Sequence, residues 1–123
     1  MNVLTWVLQA LMAALFLVHG ALMIAPPEWL VRRMRERGRE PSWPHSLLVF
    51  TGIAEVLAAV GLILPAATGI LPVLTPLAAV GLAIVMVGGT VYHLQRREGS
   101  LATVVIGLIC VAIAVLRWTL VPL

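Results

Sequence analysis

The sequence contains no lysine, no aspartate and only one cysteine, Cys110. A single cysteine excludes both an internal disulfide and a CxxC dithiol. Charged residues make up 11% of the 123 residues, whereas a soluble domain carries roughly 25%. Glycine-rich phosphate loops, nucleophile elbows and Glu-x-x-His pairs are missing as well. No catalytic or metal motif therefore stands out, and the sequence favours a protein without catalytic activity of its own while leaving that point open.

Apolar residues dominate what is present, at 62% of the chain. A small soluble domain buries only about two thirds of the surface that its unfolded chain exposes. A water-soluble fold of this length could not hide so much apolar surface. The composition therefore predicts an integral membrane protein in contact with a lipid bilayer.

Four segments are long and apolar enough to cross about 30 Å of hydrocarbon as helices. We predict spans at about 3–25, 45–64, 72–93 and 101–121, with Pro65 ending the second. The first segment has no basic region before it, so we expect a retained span and not a signal peptide. Short loops between the spans predict an all-α, up-down four-helix transmembrane bundle forming a single domain over 1–123.

Basic residues are concentrated in two of the three predicted loops. The first loop holds five arginines, Arg32, Arg33, Arg35, Arg37 and Arg39, and the third holds Arg96 and Arg97. Positive loops face the cytoplasm, so we expect both termini outside a bacterial cytoplasmic membrane. An arginine cluster between two apolar spans is better explained by anionic lipid than by nucleic acid, and no nucleic-acid partner is expected.

The few polar residues inside the spans recur at helical spacing together with small residues or methionine. Residues three and four apart share one helix face, and small residues mark helix contacts in lipid. We therefore predict that one polar seam faces the interior of the bundle. It consists of Glu55, His19, Gln9, Thr51, Met86, Thr90, His93 and Arg117.

Depth, at about 1.5 Å per residue, places Glu55 near the midplane with Gln9 and Arg117 in the outer half. An ionised carboxylate at that depth costs about 2.5 kcal/mol or more, so Glu55 must be neutral, paired or hydrated. His19 is its expected partner, displaced toward the cytoplasm by about 7 Å along the helix axis.

Each of these residues has a purely structural alternative. Glu55 is either functional or a hydrogen bonder between helices, and His19 is either a core residue or part of a ligand site. His93 is more often an interfacial anchor, and Arg117, beside Trp118, is more often snorkelled to the outer surface. Met86 is more often packing than part of a cofactor site. Histidine, glutamate and cysteine are scattered over four helices without ligand spacing, which does not favour a metal or haem site.

Several stretches resemble the DoxX-like family of small four-helix membrane proteins. The resemblance lies in residues 51–65 (TGIAEVLAAVGLILP), 68–79 (TGILPVLTPLAA) and 92–98 (YHLQRRE). Family members often carry a lysine shortly after the glycine of the first helix, whereas Gly20 here is followed by Ala-Leu-Met. Carried over by motif, the resemblance marks Glu55 first, then His93 and Arg96, as functional residues.

The resemblance also implies a range of functions. The family takes its name from a subunit associated with thiosulfate:quinone oxidation, and a related animal protein is an assembly chaperone. We therefore expect an accessory subunit, or a protein that binds a small hydrophobic ligand such as a quinone or lipid in a membrane redox context. The alternatives are an assembly factor that pairs laterally with other helices, and a small transporter or proton pathway. Beyond the bilayer, the expected partner is another membrane subunit or a second copy of this chain.

Overall fold

Helices account for most of the residues that the computed structural model describes, namely 2–38, 44–95, 99–120 and 122. A π-helical turn, Leu116–Leu120, continues the last of the five α-helices found in these ranges. The α-helices are α1 (Asn2–Ile24), α2 (Glu28–Glu36), α3 (His45–Thr68), α4 (Leu74–Gln95) and α5 (Leu101–Val115). The predicted all-helical fold is confirmed.

The four long helices pack as a bundle. Gln9 of α1 bonds to Leu62 of α3, whereas His19, further along α1, bonds to Glu55, further back along α3. The two helices therefore run antiparallel. α3 also packs against α4, α4 against α5 and α5 against α1, which closes the ring. We call the end that holds α2 the arginine end, and the end that holds Asn2 and Arg117 the terminal end.

Large apolar side chains cover the outside of this bundle. Phe50, Leu57 and Leu108 are all exposed, as are many other leucines, valines and isoleucines. Soluble proteins rarely expose such extensive apolar surface. Each of the four long helices is long and apolar enough to cross a membrane. The outward apolar surface is therefore the surface that lipid tails would contact.

The interior of the bundle is close-packed around a few large apolar residues. Phe16, Leu62, Leu82 and Ile113 are almost completely buried, and Cys110 lies among them as a small core residue. Buried polar side chains are set into this core at two levels, with Glu55 near the middle of α3 and Gln9 and Arg117 nearer the terminal end. The core thus separates two polar clusters.

α3 continues through Pro65, which we had predicted to end the second span. Proline has no N–H, so the carbonyl of Gly61, four residues earlier, loses its usual helical donor. The hydroxyl of Thr75 in α4 donates to that carbonyl at 3.0 Å. The helix therefore extends to Thr68 and ends at Gly69, whose φ is +73°. The prediction was wrong because Thr75, the donor that replaces the missing N–H of Pro65, lies on another helix.

α2 lies where the sequence predicts a loop, because its many charged residues are typical of loops between spans. It begins directly after Pro27, and Glu28 in its first turn complements the positive end of the helix dipole. Leu30, Val31 and Met34 lie on the side that faces the bundle. The arginines on the other side are exposed. α2 is thus an amphipathic helix between two spans.

The remaining boundaries differ from the predicted ones by a few residues. α1 begins and ends one residue earlier, α4 begins at Leu74 and not at 72, and the last span continues as the π-helical turn. Several predicted features lie outside the described residues, namely Arg39 of the first loop, Arg96 and Arg97 of the third, and Val121 at the end of the fourth span.

The orientation of the bundle stays a prediction, and single-cysteine labelling tests it. In a Cys110→Ala background, we expect Glu36→Cys to react with an impermeant maleimide only after the cytoplasm is opened. Thr68→Cys should react from outside in intact cells. Both positions are exposed, so reactivity reports sidedness and not burial. The parent without cysteine is the control, and the opposite labelling pattern would reverse the orientation.

Candidate functional site

The closest approach of α1 and α3 lies at a pair of glycines. A Cβ atom built on Gly20 would lie 2.7 Å from the carbonyl oxygen of Gly52, and a Cβ on Gly52 would lie 2.7 Å from that of Gly20. Neither position can hold a larger side chain without moving backbone. The crossing brings the next polar residues on both helices, His19 and Glu55, within reach of each other.

His19 and Glu55 form a hydrogen-bonded pair. The Nδ1 atom of His19 lies 2.9 Å from Oε2 of Glu55. The two side chains differ sharply in exposure, because Glu55 is 1% exposed and the side chain of His19 is 57% exposed. We had expected His19 to face the bundle interior as Glu55 does. Its ring instead turns outward from the buried carboxyl.

The surface on which His19 opens is a cleft of about 460 Å³ at the arginine end. All three histidines of the chain, His19, His45 and His93, line it. We call this the histidine cleft. Its other walls are mostly apolar and come from all five helices, with Phe16 and Met23 from α1, Leu30, Val31 and Met34 from α2, Leu48 from α3, Met86 from α4 and Ile106 from α5.

Two further polar side chains, Tyr92 of α4 and Thr103 of α5, lie on the walls of the histidine cleft. The hydroxyls of Thr90 and Thr103 are 2.9 Å apart, and Thr103 lines the cleft. The rings of Tyr92 and His93 meet edge to face with centroids 5.7 Å apart. His93 is thus part of the cleft wall, and its role as an interfacial anchor stays a prediction. Met86 packs in the core and reaches the same cleft.

Thr51 does not join this site. Its hydroxyl donates to the carbonyl of Leu47 in its own helix at 2.9 Å. Such a bond satisfies the hydroxyl locally and makes no contact between helices. The sequence pattern placed Thr51 on the same stripe as Glu55, but the buried face of α3 is centred on Gly52, Glu55 and Ala59.

The remaining predicted polar residues form a second cluster at the terminal end. Arg117 donates from Nε to Oε1 of Gln9 at 2.6 Å and from Nη1 to Oδ1 of Asn2 at 3.0 Å. Gln9 in turn donates from Nε2 to the carbonyl of Leu62 at 2.6 Å. The guanidinium carbon lies 5.4 Å from the ring centroid of Trp6, a cation–π distance. We call these residues the Arg117 cluster.

Arg117 is therefore not snorkelled to the outer surface, the alternative that its neighbour Trp118 had favoured. It is 3% exposed, while Trp118 is 48% exposed. Arg117 lies in the π-helical turn that continues α5. The predicted single seam is thus two separate clusters. One joins α1 to α3 at the arginine end, and the other ties α1, α3 and the last span together.

A second concave surface lies between α4 and α5. It is an apolar groove of about 560 Å³ whose walls include Val80, Val87, Leu108 and Trp118. No titratable side chain is among its lining residues in the described part of the chain. Apart from the hydroxyls of Thr90 and Thr103 its walls are mostly apolar, which suits contact with apolar chains or helices.

Sequence reasoning missed several residues that build these sites. His45 was treated only as the start of a span, and Tyr92 as part of the stretch that resembles the DoxX-like family. Asn2 was not singled out and Thr75 was not recognised as a donor to α3, although a polar residue at a span boundary was a usable signal for each. Gly20 and Gly52 carried the small-residue signal of close helix packing, but a single sequence does not show which glycines face each other.

The described residues of the histidine cleft are not arranged to hold a metal ion. Among the described residues, no group of three histidine, cysteine, aspartate or glutamate side chains lies close enough for a metal ion. The cleft instead combines apolar walls with a few hydrogen-bonding groups. That combination is typical of sites for small organic ligands, which measure about 300–1,000 Å³.

A family model described as the DoxX-like family matches residues 7–116. The match covers all four long apolar helices, and together with their length and composition it shows an integral membrane protein. No curated protein matches the chain, and no solved structure does.

Proposed function

The chain belongs to the DoxX-like family, and from that premise we propose that it is an accessory membrane protein whose histidine cleft binds a small, mostly apolar ligand with a polar head. The observation that carries this proposal is the position of His19. It links the buried carboxyl of Glu55 to a cleft that also holds His45 and His93. This role requires no catalytic activity of the protein itself.

A quinone is the first candidate ligand, and a lipid is the second. The quinone ring carries carbonyl groups that accept hydrogen bonds from histidine or hydroxyl donors. Its apolar tail suits walls made of leucine, isoleucine and methionine. The redox context implied by the resemblance supports the same choice. The ring of a quinone would lie against His19, with its tail along the apolar side chains of α1 and α5.

Lateral pairing with a helix of another membrane protein, or with a second copy, is the alternative function. The apolar groove between α4 and α5 supports it, because a helix of another chain could pack there. The two functions use opposite sides of α5. Ile106 faces the histidine cleft, whereas Leu108, two residues further on, faces the groove.

Two matched variants on α5 separate these functions. Ile106→Trp fills the histidine cleft, and Leu108→Trp fills the groove. We expect native mass spectrometry of the protein released from mild detergent to show a bound quinone or lipid. Ile106→Trp should lower the affinity for the identified ligand by about tenfold or more, while Leu108→Trp should leave it unchanged. Thermal stability in detergent shows whether each variant is folded.

The opposite result would favour lateral pairing. If Leu108→Trp abolished a partner subunit or a homo-oligomer in the native spectrum while Ile106→Trp changed nothing, the groove and not the cleft would be the functional surface. A protein that carries no small molecule and rebinds none after delipidation would rule out the ligand-binding proposal.

A further inference from the structure

The His19–Glu55 pair leaves one particular atom for the cleft. Nδ1 of His19 is engaged with Glu55, so Nε2, on the far side of the ring, is the nitrogen available to a ligand. Within the described residues, this contact is the one hydrogen bond that either side chain makes. The ligand chemistry of the cleft therefore depends on whether Nε2 carries a proton.

Whether Nε2 carries a proton depends on where the protons of the His19–Glu55 pair lie and how many there are. If Glu55 is ionised and His19 is an imidazolium, both ring nitrogens are protonated and Nε2–H is a donor. If Glu55 is protonated and donates to Nδ1, the neutral ring carries its proton on Nε2, which is again a donor. Both states have no net charge. The loss of a further proton leaves the pair with a net negative charge and makes Nε2 an acceptor.

A net negative charge is unfavourable at this position. Glu55 is 1% exposed, and an uncompensated charge among apolar helices in lipid is costly. A third arrangement would place the proton on the other oxygen of Glu55, so that Nδ1–H donates and Nε2 accepts. That proton would have no acceptor among the described residues, which is unfavourable for a buried group.

We propose that His19 offers the cleft an N–H donor, and that the ligand head it recognises is an uncharged carbonyl group. This inference rests on the proposed ligand-binding function and specifies the chemistry of its ligand. A neutral His19–Glu55 pair has no net charge to balance an anionic head, and the walls around it are mostly apolar. The carbonyl belongs to a quinone ring or to a lipid ester.

Nitrogen NMR of the histidine rings tests the donor directly. The protein is labelled with ¹⁵N-histidine and placed in phosphatidylcholine nanodiscs, and the His19 signals are assigned by their loss in His19→Phe. We expect a protonated Nε2, because protonated and bare ring nitrogens have well-separated shifts. A bare Nε2 at neutral pH would overturn the inference whatever the protein binds.

Titration with decyl-benzoquinone and its quinol tests the ligand class. The quinone should bind about tenfold more tightly than the quinol, and His19→Phe should remove the difference while Leu108→Phe, which lies outside the cleft, keeps it. Nanodiscs of ester-linked and ether-linked lipid distinguish the second source, because only an ester carbonyl would shift the His19 signals. Equal binding of quinone and quinol, with no ester effect, overturns the inference alone. No saturable binding of any of these molecules overturns it together with the proposed function.

Discussion

Replacing His19 by leucine is expected to destabilise the protein more than replacing Glu55 by methionine, although both changes remove the same hydrogen bond. Glu55 is 1% exposed, so the loss of His19 leaves a buried carboxyl without its partner. That costs about 1–3 kcal/mol for a neutral group and more for a charged one. The loss of Glu55 leaves His19, whose side chain is 57% exposed and can use the cleft. Replacing a buried polar pair by apolar groups is often close to neutral.

Reversible unfolding in mixed detergent micelles measures this difference. We expect His19→Leu to lower the free energy of unfolding by about 2 kcal/mol or more, and Glu55→Met to lower it by under about 1 kcal/mol. The double variant, His19→Leu with Glu55→Met, should be more stable than His19→Leu alone, because it contains no buried carboxyl without a partner. Glu55→Gln keeps hydrogen bonding and serves as the conservative control. Equal and additive losses would mean that the two residues do not interact.

The same pair shows how much of the site could be predicted from the sequence. Glu55 stands out because a carboxyl inside a span is expensive, and His19 was the nearest partner by depth. The helical stripe therefore predicted the contact. It did not predict that His19 opens outward, because exposure at the arginine end depends on where α2 and α5 lie. The histidine cleft combines residues from all five helices, and no local pattern in the chain indicates such a combination.

The fold followed from the sequence for a different reason. A bilayer admits few alternatives to a helix of about 20 apolar residues, so the four long helices were fixed by hydropathy and by short loops. Errors arose where tertiary contacts override local signals. Pro65 stays inside α3 because Thr75 satisfies the Gly61 carbonyl. α2 forms because its apolar side packs toward the bundle, although its overall composition is polar.

Gln9→Leu is expected to have a comparably large effect at the other end of the bundle. Gln9 accepts a hydrogen bond from Nε of Arg117 and donates one to the carbonyl of Leu62, both at 2.6 Å. A hydrogen bond to a charged group contributes about 1.5–3 kcal/mol, and a neutral one about 1 kcal/mol. Leucine removes both at once from a residue that is completely buried. We therefore expect the free energy of unfolding to fall by about 3 kcal/mol.

The residues of this cluster lie far apart in the sequence, which explains why the sequence favoured a different position for Arg117. Gln9 and Arg117 are separated by 108 residues, and Asn2 and Arg117 by 115. The nearest aromatic neighbour in sequence is Trp118, but the ring that packs against the guanidinium is that of Trp6. Depth alone could place Gln9 and Arg117 in the same half of the membrane without showing that they bond.

Two companion variants separate the roles of the two hydrogen bonds. Gln9→Glu keeps an acceptor for Arg117 but loses the donor to Leu62, so its loss of stability should be smaller than that of Gln9→Leu. The exposed pair Arg32 and Glu28, 3.5 Å apart, supplies the control, because Arg32→Gln should change stability by under about 0.5 kcal/mol. Unfolding in mixed micelles is measured for all three. If Gln9→Leu is as stable as Arg32→Gln, the cluster does not hold the helices together, and Arg117 instead reaches the membrane surface beside Trp118.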